Sequence, residues 1–148
     1  VFRVMGALDT QWGLIIIYLG ANIPIVIWMV RSFLKDVPLE LLEAADIDGA
    51  SRVYSFFRII LPLVKSGIMS TALLCFIFIW NEFFYAVNLT TTNASTIPVY
   101  MASYMTQEGL FWAKLSAIST ITVLPPLILG WISHKSLVRG LMMGAVKG

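Results

Sequence analysis

A chain of 148 residues is about the size of one domain, but 59% of it is hydrophobic and only 12% is charged, which excludes an ordinary soluble globular protein and points to a polytopic membrane protein. The net charge of +2 decides little, because the distribution of charge matters more than its sum, and no nucleic-acid partner is expected. The single cysteine, Cys75, rules out an internal disulfide; it lies inside an apolar span and reads as a small apolar residue.

The chain starts at Val1 and shows no signal peptide with a cleavage site, so an N-terminal portion is expected to be missing. Residues 1–9 form a mildly amphipathic lead-in at the membrane surface, with Arg3 in it. The first span, about 12–30, carries no charge and covers roughly 28 Å as a helix, close to the hydrocarbon thickness of a bilayer. Trp12 and Trp28 lie near its ends, where indole rings prefer to sit. Pro24 should kink it.

Residues of about 36–62 are the most charged part of the chain and describe two short helices meeting at a hinge. Asp36 and Pro38 suit the start of the first, and Leu39, Leu42, Glu43 and Ile47 follow at helical spacing. Asp48-Gly49 punctuates the run: glycine takes backbone conformations that a Cβ resists, and Asp48 is expected to cap a second helix from near Ala50. That helix carries Arg52 and Arg58 on an apolar body, and Pro62 should end it or kink it into the next span. Two readings fit the residues alone. The hairpin is a solvated linker, or its small residues (Ala44, Ala45, Gly49, Ala50) let a soluble partner approach closely.

The second span is expected over about 66–89, with Gly67, Ser70, Thr71 and Ala72 permitting close helix packing. Glu82 is the one acid inside a span. A carboxylate there needs protein or water around it, either as a solute-pathway or proton site or as a polar lock between helices. Asn81, Tyr85 and Asn88 should share a face with Thr71, Leu74 and Phe78. That stripe suits a pathway for hydroxylated solutes, and it equally suits interhelical hydrogen bonding.

An external loop of about 90–112 should hold a partial re-entrant or surface helix, and a third span of about 114–133 should be interrupted at Pro125-Pro126. Ser116, Ser119, Thr120 and Thr122 on it carry the same two readings, solute pathway or helix packing, with packing the first of them. Asn88-Leu89-Thr90 and Asn93-Ala94-Ser95 match the glycosylation sequon, a short pattern that is given no weight. His134 reads as an interface anchor, and the tail 134–148 is basic and glycine-rich.

Arg31, Lys35, Arg52, Arg58 and Lys65 surround the hairpin, and Lys135, Arg139 and Lys147 lie in the tail; only Arg3 and Lys114 remain for the other side. Hairpin and C-terminus are therefore expected in the cytoplasm. No cysteine/histidine cluster, phosphate loop or nucleophile elbow occurs, so no catalytic or metal-binding residue is assigned.

Glu43, Ala44, Ala45, then Gly49, then Ile59, Leu61 and Pro62 reproduce E-A-A-x3-G-x9-I-x-L-P. On these residues the chain resembles the permeases of bacterial ATP-binding-cassette importers, whose EAA loop is a coupling helix. The tail residues Leu137 to Leu141 and Gly144 to Gly148 are similar to the C-terminal end of the carbohydrate-importing, maltose-type permeases. With Glu108 to Lys114 they look most like the polyol branch. The resemblance covers essentially the whole chain and corresponds to the C-terminal half of a roughly six-span permease.

It implies an all-α membrane protein with a cytoplasmic coupling hairpin, residues 1–148 being part of a transmembrane domain of the bacterial inner membrane. It further implies a non-enzymatic subunit that moves a sugar or polyol. Its partners would be a cytoplasmic ATPase dimer, a second permease, a periplasmic or lipid-anchored solute-binding protein and membrane lipid. No cofactor is expected on this chain, ATP and magnesium belonging to the ATPase. The docking residues would be Glu43, Ala44, Ala45, Asp48, Gly49, Ile59, Leu61 and Pro62, and the candidate pathway Asn81, Glu82, Tyr85 and Asn88. The rival reading is an ion-coupled transporter or channel fragment with Glu82 as its proton site.

Overall fold

The computed structural model describes residues 3, 5–106 and 109–145, with side chains described as far as Ser133 apart from residues 106, 109 and 110. The expectations placed on Val1, Phe2, Val4, Glu108, the His134 side chain and residues 146–148 lie outside the described residues.

Six helices follow one another among the described residues: α1 Gln11–Lys35, α2 Leu39–Ile47, α3 Arg52–Trp80, α4 Phe84–Leu89, α5 Ile97–Ala102 and α6 Trp112–Ala145. A two-residue antiparallel pairing, Met105–Thr106 with Gly109–Leu110, closes the loop before α6. The chain is an all-α membrane protein: α1, α3 and residues Trp112–Ser133 of α6 are long and apolar enough to cross a bilayer.

Contacts divide the chain into two units, one of Val1–Ile23 with Phe76–Gly130 and one of Pro24–Cys75 with Trp131–Gly148. In the second, α3 packs through small side chains. Gly67, Ser70 and Thr71 are buried, the Thr71 hydroxyl donates to the Gly67 carbonyl at 2.9 Å, and a Cβ built on Gly67 would overlap the Phe33 ring. Glycine at 67 is what lets Phe33 lie against the backbone. Ala72, the fourth small residue expected to permit close packing, is exposed.

Several expected boundaries differ, each for a physical reason. Pro38 is the N-cap of α2, with extended backbone, rather than its first turn. Ser51, not Asp48, caps α3: its Oγ accepts from the Tyr54 N–H at 3.3 Å, while Asp48 is the C-cap of α2.

Pro62 neither ends nor kinks the chain into a new element. Residues Phe56–Ile60 open into a π-helical turn, with the Leu61 N–H bonding to the Phe56 carbonyl, and α3 continues to Trp80. The wider turn makes room for a proline ring that would otherwise press on the carbonyl four residues back. The helix therefore begins and ends earlier than the span expected over 66–89.

Pro125 and Pro126 stay inside α6. In lipid an interrupted backbone has no water to bond, so the helix persists through the two missing N–H groups.

Candidate functional site

The hairpin between α2 and α3 is shaped by its backbone. Its turn is a Schellman closure: the Ala50 N–H reaches the Ala45 carbonyl at 2.9 Å and the Gly49 N–H reaches the Asp46 carbonyl at 3.1 Å, with Gly49 at φ 74°. That is the left-handed region, which glycine enters without a Cβ penalty. Beyond the turn, α2 and the start of α3 both line a concavity of about 740 Å³, with Ala44, Ala45, Asp48, Gly49, Tyr54 and Ile59 among its residues.

Five of the eight residues singled out from the sequence thus converge on one groove. Glu43, Leu61 and Pro62 do not line it; Glu43 is exposed beside it, and Pro62 lies past the π-helical turn. Around the groove the hairpin exposes large apolar side chains, with Ile47 86%, Val53 69% and Tyr54 55% accessible.

The second cluster surrounds a break in the helix. After Trp80 the chain leaves helical geometry for three residues, Asn81 to Phe83, and resumes as α4. Glu82 governs the break: its Oε1 accepts from the Tyr85 N–H at 2.7 Å, and its Oε2 accepts from the Ala86 N–H at 3.1 Å. Those amides are among the unpaired donors of α4's first turn. Tyr18 of α1 donates its hydroxyl to Oε2 at 2.8 Å. Glu82 therefore caps one helix and ties it to another.

The break also divides the expected stripe. Asn81 opens the break and its side-chain amide donates to the Ile77 carbonyl at 2.8 Å, whereas Tyr85 and Asn88 sit on α4, the Asn88 amide donating to the Phe84 carbonyl at 2.6 Å. A stripe read at constant helical spacing assumes an unbroken helix, which the chain does not have. Of the four candidate pathway residues, only Asn81 lines the neighbouring concavity, of about 500 Å³, together with Trp80, Ser119 and Thr122.

A family profile described as the binding-protein-dependent transport system inner membrane component matches residues 2–140. The chain belongs to that family.

Curated relatives agree. A trehalose/maltose transport system permease protein of Thermococcus litoralis is 38% identical over 146 residues, covering 97% of this chain and 52% of the relative. The trehalose transport system permease protein of Mycobacterium tuberculosis is 35% identical over 150 residues, covering 99% and 54%. The diacetylchitobiose uptake system permease protein of Streptomyces coelicolor is 36% identical over 149 residues, covering 100% and 54%. The chain spans about half the length of the curated relatives it matches. Members of this family are transport components rather than enzymes, and the comparisons do not favour the ion-coupled alternative.

Two residues of the chain escaped the sequence reading. Tyr18 is one, a tyrosine in an apolar run whose partner lies 64 positions away. Asp9 is the other. Its carboxylate accepts from the N–H groups of Thr91, Asn93 and Ala94 at 2.8, 3.1 and 3.2 Å, and from the Thr91 hydroxyl and Asn93 amide at 2.7 and 3.0 Å. Its own N–H donates to the Leu89 carbonyl at 2.7 Å, and it holds φ 53°, a conformation aspartate tolerates better than most.

The Thr91 hydrogen bonds, foremost, hold the Asp9 carboxyl well below the usual carboxylate range. The polar run Thr90 to Asn93 hinted that something must satisfy these amides; nothing in the sequence named Asp9. Among the described residues no group of three His, Cys, Asp or Glu side chains is placed to hold a metal.

Proposed function

We propose that this chain forms part of a permease subunit of an importer that moves a sugar or polyol across the bacterial inner membrane, driven by a separate cytoplasmic ATPase. The groove at the α2–α3 hairpin is the seat for that ATPase. The observation that carries the reading is the convergence of Ala44, Ala45, Asp48, Gly49 and Ile59 on one concavity with apolar Ile47 and Val53 exposed beside it. Small residues admit a partner's backbone, and the apolar rim supplies the area that binding buries.

The mechanism follows from chain continuity. The hairpin's second arm and the membrane span are one helix, Arg52–Trp80, about 43 Å long. ATP and magnesium would be held by the ATPase, whose closure would move a docked hairpin, and α3 would carry that displacement into the membrane. A second permease subunit completes the pathway, and a periplasmic or lipid-anchored binding protein delivers the solute. The relatives named for trehalose, maltose and diacetylchitobiose make a disaccharide the first solute to test. The lysines and arginines around the hairpin and in the tail support a cytoplasmic side for both.

The test is capture of the ATPase by the assembled permease. Glu43→Lys and Gly49→Pro are expected to abolish capture and uptake while leaving membrane insertion intact. Normal capture and uptake in both variants contradict the docking role.

A further inference from the structure

At membrane depth, non-helical backbone is tolerated only where protein covers it or where it lines a water-filled space. From Lys65 to Asn81 helix α3 advances about 24 Å, so the break falls within ~30 Å of hydrocarbon counted from that lysine. Beside it, Trp80, Asn81 and Phe83 line the 500 Å³ concavity with Met101, Ser119 and Thr122, a size that suits a small-molecule cleft.

Its lining has a definite chemistry. The Asn81 Nδ2 is committed to the Ile77 carbonyl, which leaves the amide oxygen as the acceptor it can present. Ser119 and Thr122 add hydroxyls about one turn apart on α6, on one side of the helix. Trp80 and Phe83 contribute aromatic surface.

Most of the lining is apolar, Pro98, Met101, Met105 and Val123 lying beside the two rings, and Asn81, Ser119 and Thr122 are its polar groups; a few polar groups set in an apolar and aromatic wall suit a pyranose, whose hydroxyls hydrogen-bond and whose C–H face packs on an aromatic ring. A lipid chain would use none of the polar groups. A cation would want the carboxylate of Glu82, which does not line the concavity and is engaged by Tyr18, Tyr85 and Ala86.

We infer that this concavity is a contact point for the sugar in transit, with Asn81, Ser119 and Thr122 holding hydroxyls and Trp80 packing on a ring face. The inference rests on the sugar-import reading above. Glu82 and Tyr18 act as positioning residues that hold the break open beside it.

The test uses the complete importer, with its binding protein and ATPase, in proteoliposomes. Uptake of trehalose, maltose, glucose and mannitol is measured first. Failure to accumulate any of them at the expense of ATP overturns the sugar reading and the contact point with it. With Cys75→Ala as background, Ser119→Cys and Thr122→Cys (both close in size to the native residue) are labelled with a water-soluble maleimide. Ile121→Cys, outside the lining, is the control. The accumulated sugar is expected to slow labelling at 119 and 122 at least threefold and to leave 121 unchanged. Equal rates with and without sugar, in an importer that still accumulates it, overturn the contact point and leave the transport function standing. Absence of labelling at both positions under all conditions shows the concavity filled by a partner helix and overturns it as well.

Discussion

Replacing Gly49 in turn by asparagine, alanine and proline separates backbone strain from steric clash at the hairpin. Gly49 sits at φ 74°, and a Cβ built there would meet nothing within 4 Å, so alanine adds strain and no clash. Holding a residue with a Cβ in left-handed backbone costs about 1–2 kcal/mol, and asparagine, which visits that region more readily, costs less. If the groove is presented to the ATPase only in the glycine conformation, this strain subtracts from the docking free energy. Alanine should then weaken ATPase binding about 5- to 30-fold, with asparagine between alanine and glycine.

Proline is different in kind. Its ring fixes φ near −65° and removes the N–H that reaches the Asp46 carbonyl at 3.1 Å, so the Schellman turn cannot form and docking should be lost. The assay is titration of purified ATPase onto the assembled permease in nanodiscs, read as Kd. Alanine and proline variants that both bind as tightly as the native hairpin would refute the reasoning.

Other outcomes follow from single contacts. Tyr18→Phe removes one of three donors to Glu82; a polar contact inside a membrane protein is worth about 0.6 kcal/mol on average. Uptake should fall modestly while insertion is unchanged, and Glu82→Gln should lower uptake further; unchanged transport in both would remove the pair from the mechanism. Gly67→Val should lower thermal stability in detergent by forcing the Phe33 ring aside, and adding Phe33→Ala should recover part of the loss, a non-additivity that independent sites would not show. Because the folded-state pKa of Asp9 is depressed, its clamp should contribute fully above the ordinary carboxylate pKa of about 3.9 and fade as pH falls below it. The Tm gap between native protein and Asp9→Asn should stay constant from about pH 7 to 5 and narrow below about pH 4; a gap that grows on acidification contradicts the assignment.

What could be read from the sequence was whatever is local. Apolar runs declared the three membrane-capable helices, and Asp48-Gly49 declared the turn, because φ preference belongs to single residues. Helix ends were less legible. Proline predicted interruptions at 62 and at 125–126 that the helix absorbs, once by a π-helical turn and once by the lack of any better partner for backbone in lipid. The break after Trp80 was missed because its cause is a side chain, Glu82, whose acceptors satisfy α4 and Tyr18 together. Composition cannot reveal such a cap. The Asp9 clamp joins residues more than 80 positions apart, and no periodicity encodes it. Ser119 and Thr122 share a concavity with Trp80 and Asn81, residues about 40 positions earlier, a neighbourhood that spacing along one helix cannot show.

The account stands on the hairpin meeting the ATPase in the cytoplasm, and Ile47, 86% accessible, is the position that reports on it. In the complete importer with Cys75→Ala as background, Ile47→Cys should cross-link to the ATPase and should resist an impermeant maleimide added outside intact cells. Labelling from outside, with no cross-link to the ATPase, would contradict it.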